Sequence, residues 1–431
     1  MAIKTYVSVN GGRKQLKKWY ASINGARKEL QKVYASVGGQ RKLIYTKSSP
    51  TPVSQYGDLW YWDAYAETES EIVKKVQLQS VAEFNSLAPT IGQNPLEDIA
   101  DGWTATVGAE RVTVSNSFRT GEERYIALGI DVGPQITTIP DGFFAATVPF
   151  FGYGVNLSGA INLTTIGNYA FAYMQGDSDA DPYTYPLRIP NTVTSIGTYF
   201  MYRCYHVNSV VTLPNGLQSI PRFFMVECRA FNQPLAIPDT VTSIGEGFML
   251  NCHKFNQPLT IPSGVTTIPD YFLCNNGSNL SKGMDYNSTL TLPNTVISIG
   301  NGFLKNQLSF NQPLALPSSL STIGYDFMNR CEAFNQNIAL PSSLSYVGHT
   351  FMYDCDSMVS AVNVGNLAPS VMRLGNPHNF AHNKNTVPSY LNGIKFAGTN
   401  RAAWITAFPD CDTPAGGGAN NYYRKIVDAG Y

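Results

Sequence analysis

The side chains that could do chemistry in this 431-residue chain are few and scattered. Asp177, Asp179 and Asp181 alternate along one acidic stretch and are followed by Tyr183 and Tyr185. Asp-x-Asp-x-Asp begins like a calcium loop, where alternate carboxylates converge on a hard cation. The glycine at loop position six and the closing glutamate are missing, so a solvated acidic loop is the leading expectation and no metal or cofactor is assigned. His378 and His382 stand four apart, but inside Asn-Pro-His-Asn-Phe-Ala-His-Asn, a loop composition and not a metal-binding helix. A nucleophile elbow, a Walker loop and a dinucleotide fingerprint are all missing. No two carboxylates are evidently paired as glycoside hydrolysis needs. The expectation is a protein that binds and does not catalyse.

What must position these residues is a repeat of 24 residues that dominates the middle of the chain. Its marker is an Ile-Gly or Ile-Pro pair at Ile139, Ile166, Ile196, Ile220, Ile244, Ile268, Ile299 and Ile323, ending at Val347. Phe200, Phe224, Phe248, Phe272, Phe303, Phe327 and Phe351 each follow their marker by four positions. A second apolar column runs through Phe231, Phe255, Tyr286, Phe310 and Phe334, with Asn232, Asn256, Asn287, Asn311 and Asn335 beside it. Such a period predicts a solenoid of about nine rungs, in which like side chains stack and in-phase asparagines satisfy neighbouring backbone. Proline after each apolar triplet (Pro190, Pro214, Pro238, Pro262) ends a strand there, because it cannot donate to a ladder. At ~4.8 Å per rung the predicted rod is roughly 40 Å long. Cys204, Cys228 and Cys252, and likewise Cys331 and Cys355, keep the 24-residue phase. They are expected to fill one interior slot, not to form disulfides or ligate zinc.

Three rungs are lengthened, around 151–156, 175–185 and 275–286, and all on one edge. Insertions gathered on one face of a solenoid often form its binding face. The receptor-contact candidates are therefore Asp177, Asp179, Asp181, Tyr183, Tyr185, Asp285 and Tyr286.

Outside the solenoid, residues 1–47 repeat every 14 positions, at Tyr6, Tyr20 and Tyr34. Asn10-Gly11, Asn24-Gly25 and Gly38-Gly39 follow in register, and such pairs between alternating strands predict β-hairpins. Residues 1–48 hold eleven Lys/Arg against the single acid Glu29, leaving nineteen against twenty-nine in the remainder. The expectation is a basic docking arm whose candidate contacts are Arg13, Lys14, Trp19, Tyr20, Arg27, Lys28, Tyr34, Arg41 and Lys42. Nucleic acid is not expected as the partner, since a uniformly basic ribbon has no distinct recognition element. Residues 48–52 read as a linker. Residues 53–130 read as an entry cap, with a helix over Glu67–Phe84 and paired strands at 103–107 and 111–114. The aromatic cluster Tyr56–Tyr65 is expected to be core, with a carbohydrate platform as the alternative. Residues 359–431 read as an exit cap, with one closing strand at Tyr422–Val427. The N-terminus has no apolar signal region and no window approaches 18 apolar residues, so membrane insertion is not expected.

Two resemblances accompany these patterns. The phrase Ile-Pro-x-x-Val-Thr-x-Ile-Gly-x-x-x-Phe-x-x-x-Cys, over 135–360, is similar to the BspA-type leucine-rich repeat of bacterial surface antigens. That resemblance implies a mainly β solenoid and adhesion through its surface. The Tyr-Val-x-Val-Asn-Gly-x-x-Arg-Lys units resemble N-terminal repeats of bacteriophage minor tail and tail-tip proteins, which implies attachment to a virion. Together they lead to a tail-tip or tail-fibre protein, in the virion, bound to other tail proteins through residues 1–47. Its solenoid would touch a host cell-surface glycan or protein, and a homo-oligomer is compatible with that role. A bacterial surface adhesin and a non-binding virion spacer are the alternatives.

Overall fold

Each repeat folds because its apolar positions can be covered only by the next copy. The computed structural model describes the hairpin strands lying between residues 4 and 46. Beyond these it describes 54–63, 73–89, 103–107, 110–114, 125–145, 154–174, 186–276, 286–353, most of 355–371, 395–398, and 402, 403 and 406. The described elements are mainly β, with a five-residue helix, Val81–Asn85, a 3-10 turn, Pro369–Val371, and helical backbone at residues 402, 403 and 406.

Two parallel strips run along the solenoid. The marker strip contains nine two-residue strands, from Thr138–Ile139 to Tyr346–Val347, which bound about eight turns. Register is one rung per step, as in Ile139 on Ile166 and Ile299 on Ile323. The second strip carries the strands Val155–Asn156, Leu187–Arg188, Val211–Thr212, Leu259–Thr260, Leu290–Thr291 and Ile338–Ala339, all but the first followed by a proline two positions on.

Between the strips the columns stack as their spacing requires. Phe224 lies 5.4 Å from Phe200 and 6.0 Å from Phe248, with near-parallel rings. Phe231, Phe255, Tyr286, Phe310 and Phe334 form the second stack at 5.8–5.9 Å. Each in-phase Asn accepts the next rung's backbone: Asn208 Oδ1 from Asn232 N–H, Asn232 from Asn256, Asn256 from Asn287, Asn287 from Asn311 and Asn311 from Asn335, at 2.8–2.9 Å. The column cysteines are buried and unbridged. Each Sγ–H donates to a carbonyl of the preceding rung: Cys228 to Met201, Cys252 to Met225, Cys331 to Leu304 and Cys355 to Met328, at 2.8–3.2 Å. Gln307 occupies the same slot after the 31-residue rung, and its Nε2 donates to the Leu273 carbonyl.

Both ends join the proline-ended strip directly. At entry, Tyr125–Val132 pairs antiparallel with Gly57–Asp63 and parallel with Val155–Asn156, so a cap strand is the solenoid's first hydrogen-bonded neighbour. The expected strands Trp103–Val107 and Glu110–Val114 form and pair antiparallel. Tyr61 of the aromatic cluster is buried, while the indole N–H of Trp60 donates to Asp131 at 3.1 Å. The helix expected over Glu67–Phe84 is corrected. Among the described residues of that stretch, Val73–Gln77 is a strand beside Gly57–Asp63 and helix begins only at Val81–Asn85. That short helix places Phe84 4.5 Å from Phe143, extending the ring column into the cap.

At exit the repeat does not stop at 358 as expected. Val362 pairs with Ile338, 24 residues earlier, and Lys395–Gly398 adds a further parallel strand. The expected closing strand at 422–427 lies outside the described residues.

In the N-terminal segment three antiparallel pairs stand where the dipeptide turns predict them: Lys4–Val9 with Gly12–Lys17, Ser22–Ile23 with Ala26–Arg27, and Lys32–Val37 with Gln40–Thr46. Arg13 and Lys14 lie opposite Ser8 and Val7, Arg27 opposite Ser22, and Arg41 and Lys42 opposite Ser36 and Ala35, with Tyr34 on the paired strand. Trp19, Tyr20 and Lys28 lie outside the described residues.

Candidate functional site

The edge that follows each marker has an unusual backbone. Residues three, five and seven positions after the marker adopt positive φ in rung after rung: Phe223, Met225 and Glu227 all at 56°, Met249 at 54° and Asn251 at 61°. A non-glycine residue held there costs of order 1–2 kcal/mol. Hydrogen bonds between rungs offset that cost. Phe223 N–H donates to Glu246 O at 2.6 Å and Glu227 N–H to Leu250 O at 2.8 Å, while Met249 N–H donates back to Phe224 O at 3.0 Å. The alternation sends the ring four positions after the marker inward and the neighbouring third-position side chain outward.

In three successive rungs that outward residue is aromatic. Tyr169 and Tyr199 stack at 4.9 Å, and Tyr199 and Phe223 at 4.7 Å. Tyr202 meets Tyr173 and Tyr199 edge-on at 5.5 and 5.4 Å. With Ala145, Ala172 and Val226 these rings form a second apolar cluster, separate from the inner core. The column ends at Gly247, where a Cβ would come within 2.4 Å of the Phe223 ring.

Three arginines lie over the rings: Arg203 5.0 Å from Tyr202, Arg222 5.2 Å from Phe223 and Arg229 4.2 Å from Tyr205. Glu246 pairs with Arg222 at 2.6 Å and Glu227 with Arg229 at 2.8 Å. Burial pushes the Tyr202 phenol up to about 12 despite Arg203, and raises Tyr169, Tyr173, Tyr199 and Tyr205 as well. The phenols are therefore protonated at physiological pH and offer O–H groups, not phenolate nucleophiles. This arrangement can hold a polar partner through hydroxyls and guanidinium groups around an apolar bed. Among the described residues no group of three or more His, Cys, Asp or Glu is placed to hold a metal ion. Among them no helix is long and apolar enough to cross a membrane.

The candidates named from sequence are distributed differently. Asp177, Asp179, Asp181, Tyr183, Tyr185 and Asp285 lie outside the described residues. Their loops leave the edge at Met174 and Asn276, and the first of these roots adjoins Tyr173. Tyr286 is corrected: it is fully buried between Phe255 and Phe310, and is a rung residue with no surface to offer. The edge residues Tyr169, Tyr199, Tyr202, Tyr205, Phe223, Arg203, Arg222 and Arg229 were missed. Their sequence signal is an aromatic residue just before the phenylalanine column in consecutive rungs, where other rungs have glycine (Gly142, Gly247, Gly302).

Stacked rungs, two parallel strips and in-phase apolar columns define a leucine-rich-repeat β-solenoid. Residues 183–284 and 282–368 match the family model described as BspA type leucine rich repeat region, in six copies. Three solved structures are similar to the chain. The pneumococcal vaccine antigen PcpA is 16% identical, covers 70% of this chain and 84% of its own, and has a TM-score of 0.38. A leucine-rich repeat protein of Bacteroides ovatus is 13% identical, with coverage of 63% and 88% and a TM-score of 0.24. A leucine rich cell surface protein of Faecalibacterium prausnitzii is 17% identical, with coverage of 61% and 80% and a TM-score of 0.26. No curated protein matches the chain.

Proposed function

We propose that this chain is a non-catalytic surface-recognition protein. Its solenoid presents the Tyr169–Phe223 edge, with its arginines and adjoining loops, to a glycan or protein on a cell surface. The observation that carries this is the second aromatic cluster. Nine part-buried and buried residues form an outward bed that the inner stack does not need. BspA-type repeats support the adhesin setting for it.

The test exploits the fold. Glycine already occupies the third position in other rungs, so Tyr169→Gly with Tyr199→Gly removes two rings where the backbone favours glycine. Binding of the purified chain to cells should fall by about 10-fold or more, the scale of one lost interface anchor. Unchanged binding, with an unchanged melting profile, would reject the edge as the contact surface.

A second setting is favoured by the three hairpins, whose repeat resembles phage tail-tip units. There the same edge would face a host cell, and residues 1–47 would hold the chain to other tail proteins of a virion. Deleting residues 1–48 should abolish co-sedimentation with particles. Retained co-sedimentation would leave the adhesin setting alone.

A further inference from the structure

The repeat breaks twice at one place, and a groove lies there. From the proline-ended strand to the next marker takes eight positions between Arg188 and Ile196, and eight between Thr212 and Ile220. The first rung takes ten, from Asn156 to Ile166. Two of this rung's three extra residues thus follow the strand and do not lie around 151–156 as expected; they form a turn at 157–161 that leaves Ile161 63% exposed. Hydrogen bonds fix its shape. Ser158 N–H donates to Asn156 Oδ1 at 3.1 Å, and Ala160 N–H to Leu157 O at 3.0 Å. Asn162 Nδ2 donates to Pro134 O at 2.9 Å, and Asn156 Nδ2 to Asp131 Oδ1 at 2.8 Å, tying the turn to the entry cap.

This turn walls a groove of about 570 Å³ that continues over Arg188, Pro190–Thr192 and Thr212–Asn215. Small-molecule sites occupy roughly 300–1,000 Å³. The second break is Arg188 itself. The outward position of this strip is Thr212, Ala236, Thr260, Thr291, Ala315 and Ala339 in later rungs. Arg188 is exposed, and among the described residues no carboxylate pairs with it. Among the described residues that line the groove none is acidic, although residues 49–431 carry twenty-nine acids against nineteen bases. Asn191 Oδ1 accepts the Asn215 N–H at 2.9 Å, which holds the side chain in place and presents its NH2 donor to a ligand. Hydroxyls of Ser158, Thr192 and Thr212 complete the rim, and Ile161 supplies an apolar ledge.

A set of donors, hydroxyls and one apolar ledge complements a ligand with a carboxylate, several hydroxyls and one C–H face. We propose that this groove binds a carboxylate-bearing saccharide. Arg188 takes the carboxylate through paired N–H donors, and Ile161 lies against the sugar ring. The hydroxyl rim favours a sugar acid over an acidic peptide, which has few hydroxyls to match it. The inference draws its biological sense from the surface-recognition proposal, but the groove and the aromatic edge are separate surfaces.

The full chain is titrated with glucuronate and N-acetylneuraminate by saturation-transfer NMR, with glucose and the methyl ester of glucuronate as neutral controls. At least one sugar acid should bind, with the neutral sugars at least 10-fold weaker. Arg188→Gln should weaken that binding by roughly 10- to 100-fold, as for a lost charged hydrogen bond. Ile161→Asp, also at an exposed site, should weaken it independently by repelling the carboxylate. Any one of three results overturns the inference: no binding of either acid, equal binding of neutral sugars, or unchanged binding by Arg188→Gln. Capture of a Glu-rich peptide in place of both sugar acids also overturns it. These readouts use the isolated chain, whereas the edge is tested on cells, so failure of one leaves the other standing.

Discussion

Asn256 offers the sharpest test of how the rungs are held in register. Its Oδ1 accepts Asn287 N–H at 2.8 Å and Ser288 Oγ at 2.9 Å, across the 31-residue rung whose inserted loop lies between them. Truncation in Asn256→Ala strips Asn287 N–H of its partner. Ser288 Oγ keeps the Asn256 carbonyl at 2.9 Å, so it adds little to the cost. The backbone N–H of residue 256 still reaches Asn232 Oδ1 at 2.9 Å. One part-buried donor is orphaned, which costs about 1–3 kcal/mol.

Because solenoid rungs couple mainly to their neighbours, that loss should appear locally before it appears globally. Hydrogen exchange should accelerate at residues 256–260 and 287–291, while rungs at 195–225 keep their protection. Urea unfolding should report the total. Asn256→Asp keeps an acceptor in place and should recover most of the loss. The carboxylates of Asp141 and Asp270 already play this part, taking the N–H of Asn168 and Asn301 at 2.7 Å. If Asn256→Asp proved as damaging as Asn256→Ala, packing and not the accepted hydrogen bond would hold the column.

Other consequences follow from the same contacts. Burial raises the Cys228 thiol well above its ordinary value, with Cys204 and Cys252 adding to this, and burial also raises Cys331. Site-resolved mass spectrometry after maleimide treatment of native protein should find Cys204, Cys228, Cys252, Cys331 and Cys355 unlabelled, and denaturant should expose all five. Burial alone would raise the Asp326 carboxyl, but hydrogen bonds from Lys305, Thr350 and Asn329 outweigh it and hold it below 3.8. A depressed folded value means the stabilisation is complete above 3.8 and fades as pH falls through the folded value. Lys305→Met should therefore shift acid unfolding to higher pH in a circular-dichroism titration. Gly247→Ala, at φ +71° with its Cβ 2.4 Å from Phe223 Cδ1, should displace that ring and lower cell binding without removing any edge residue. Binding equal to wild type would show that the Phe223 orientation is irrelevant.

The stacked features were legible because repetition multiplies a weak signal. One Phe four positions after an Ile says little, whereas eight at that offset, from Phe143 to Phe351, leave stacking as the economical explanation. The cysteine slot, the asparagine ladder and the dipeptide hairpins were legible for the same reason. The positive-φ edge was not. Tyr199, Phe223, Met225 and Glu227 have no local preference for that region, and the inter-rung hydrogen bonds impose it. Glu67–Phe84 misled because Val73, Val76 and Leu78 among lysines suit a helix as readily as a strand. Pairing with Gly57–Asp63 decided the matter, as tertiary context commonly does. Tyr286 shows the converse hazard. Its place beside an insertion suggested a contact residue, while its phase in the second column already assigned it to the core. Past 358 the strand strip continues without the Ile-Gly and Phe markers, so a search keyed to those markers stops one rung early.

Stacking also limits where recognition can sit. A column residue is constrained from above and below, so a change in one rung must suit two neighbours. The freedom to differ is greatest where a column can end. The outward ring column ends against Gly247, and the proline-ended strip begins against the lengthened 157–161 turn beside Arg188. Both departures fall in the first rungs, next to a cap that joins the solenoid by continuous strand pairing through Tyr125–Val132. That pairing gives the irregular rungs a hydrogen-bonded neighbour on their cap side. Regular rungs on the other side extend the apolar stack without a gap from Phe200 to Phe351. The regular repeat thus supplies rigidity, and the rungs that break it carry the surface chemistry.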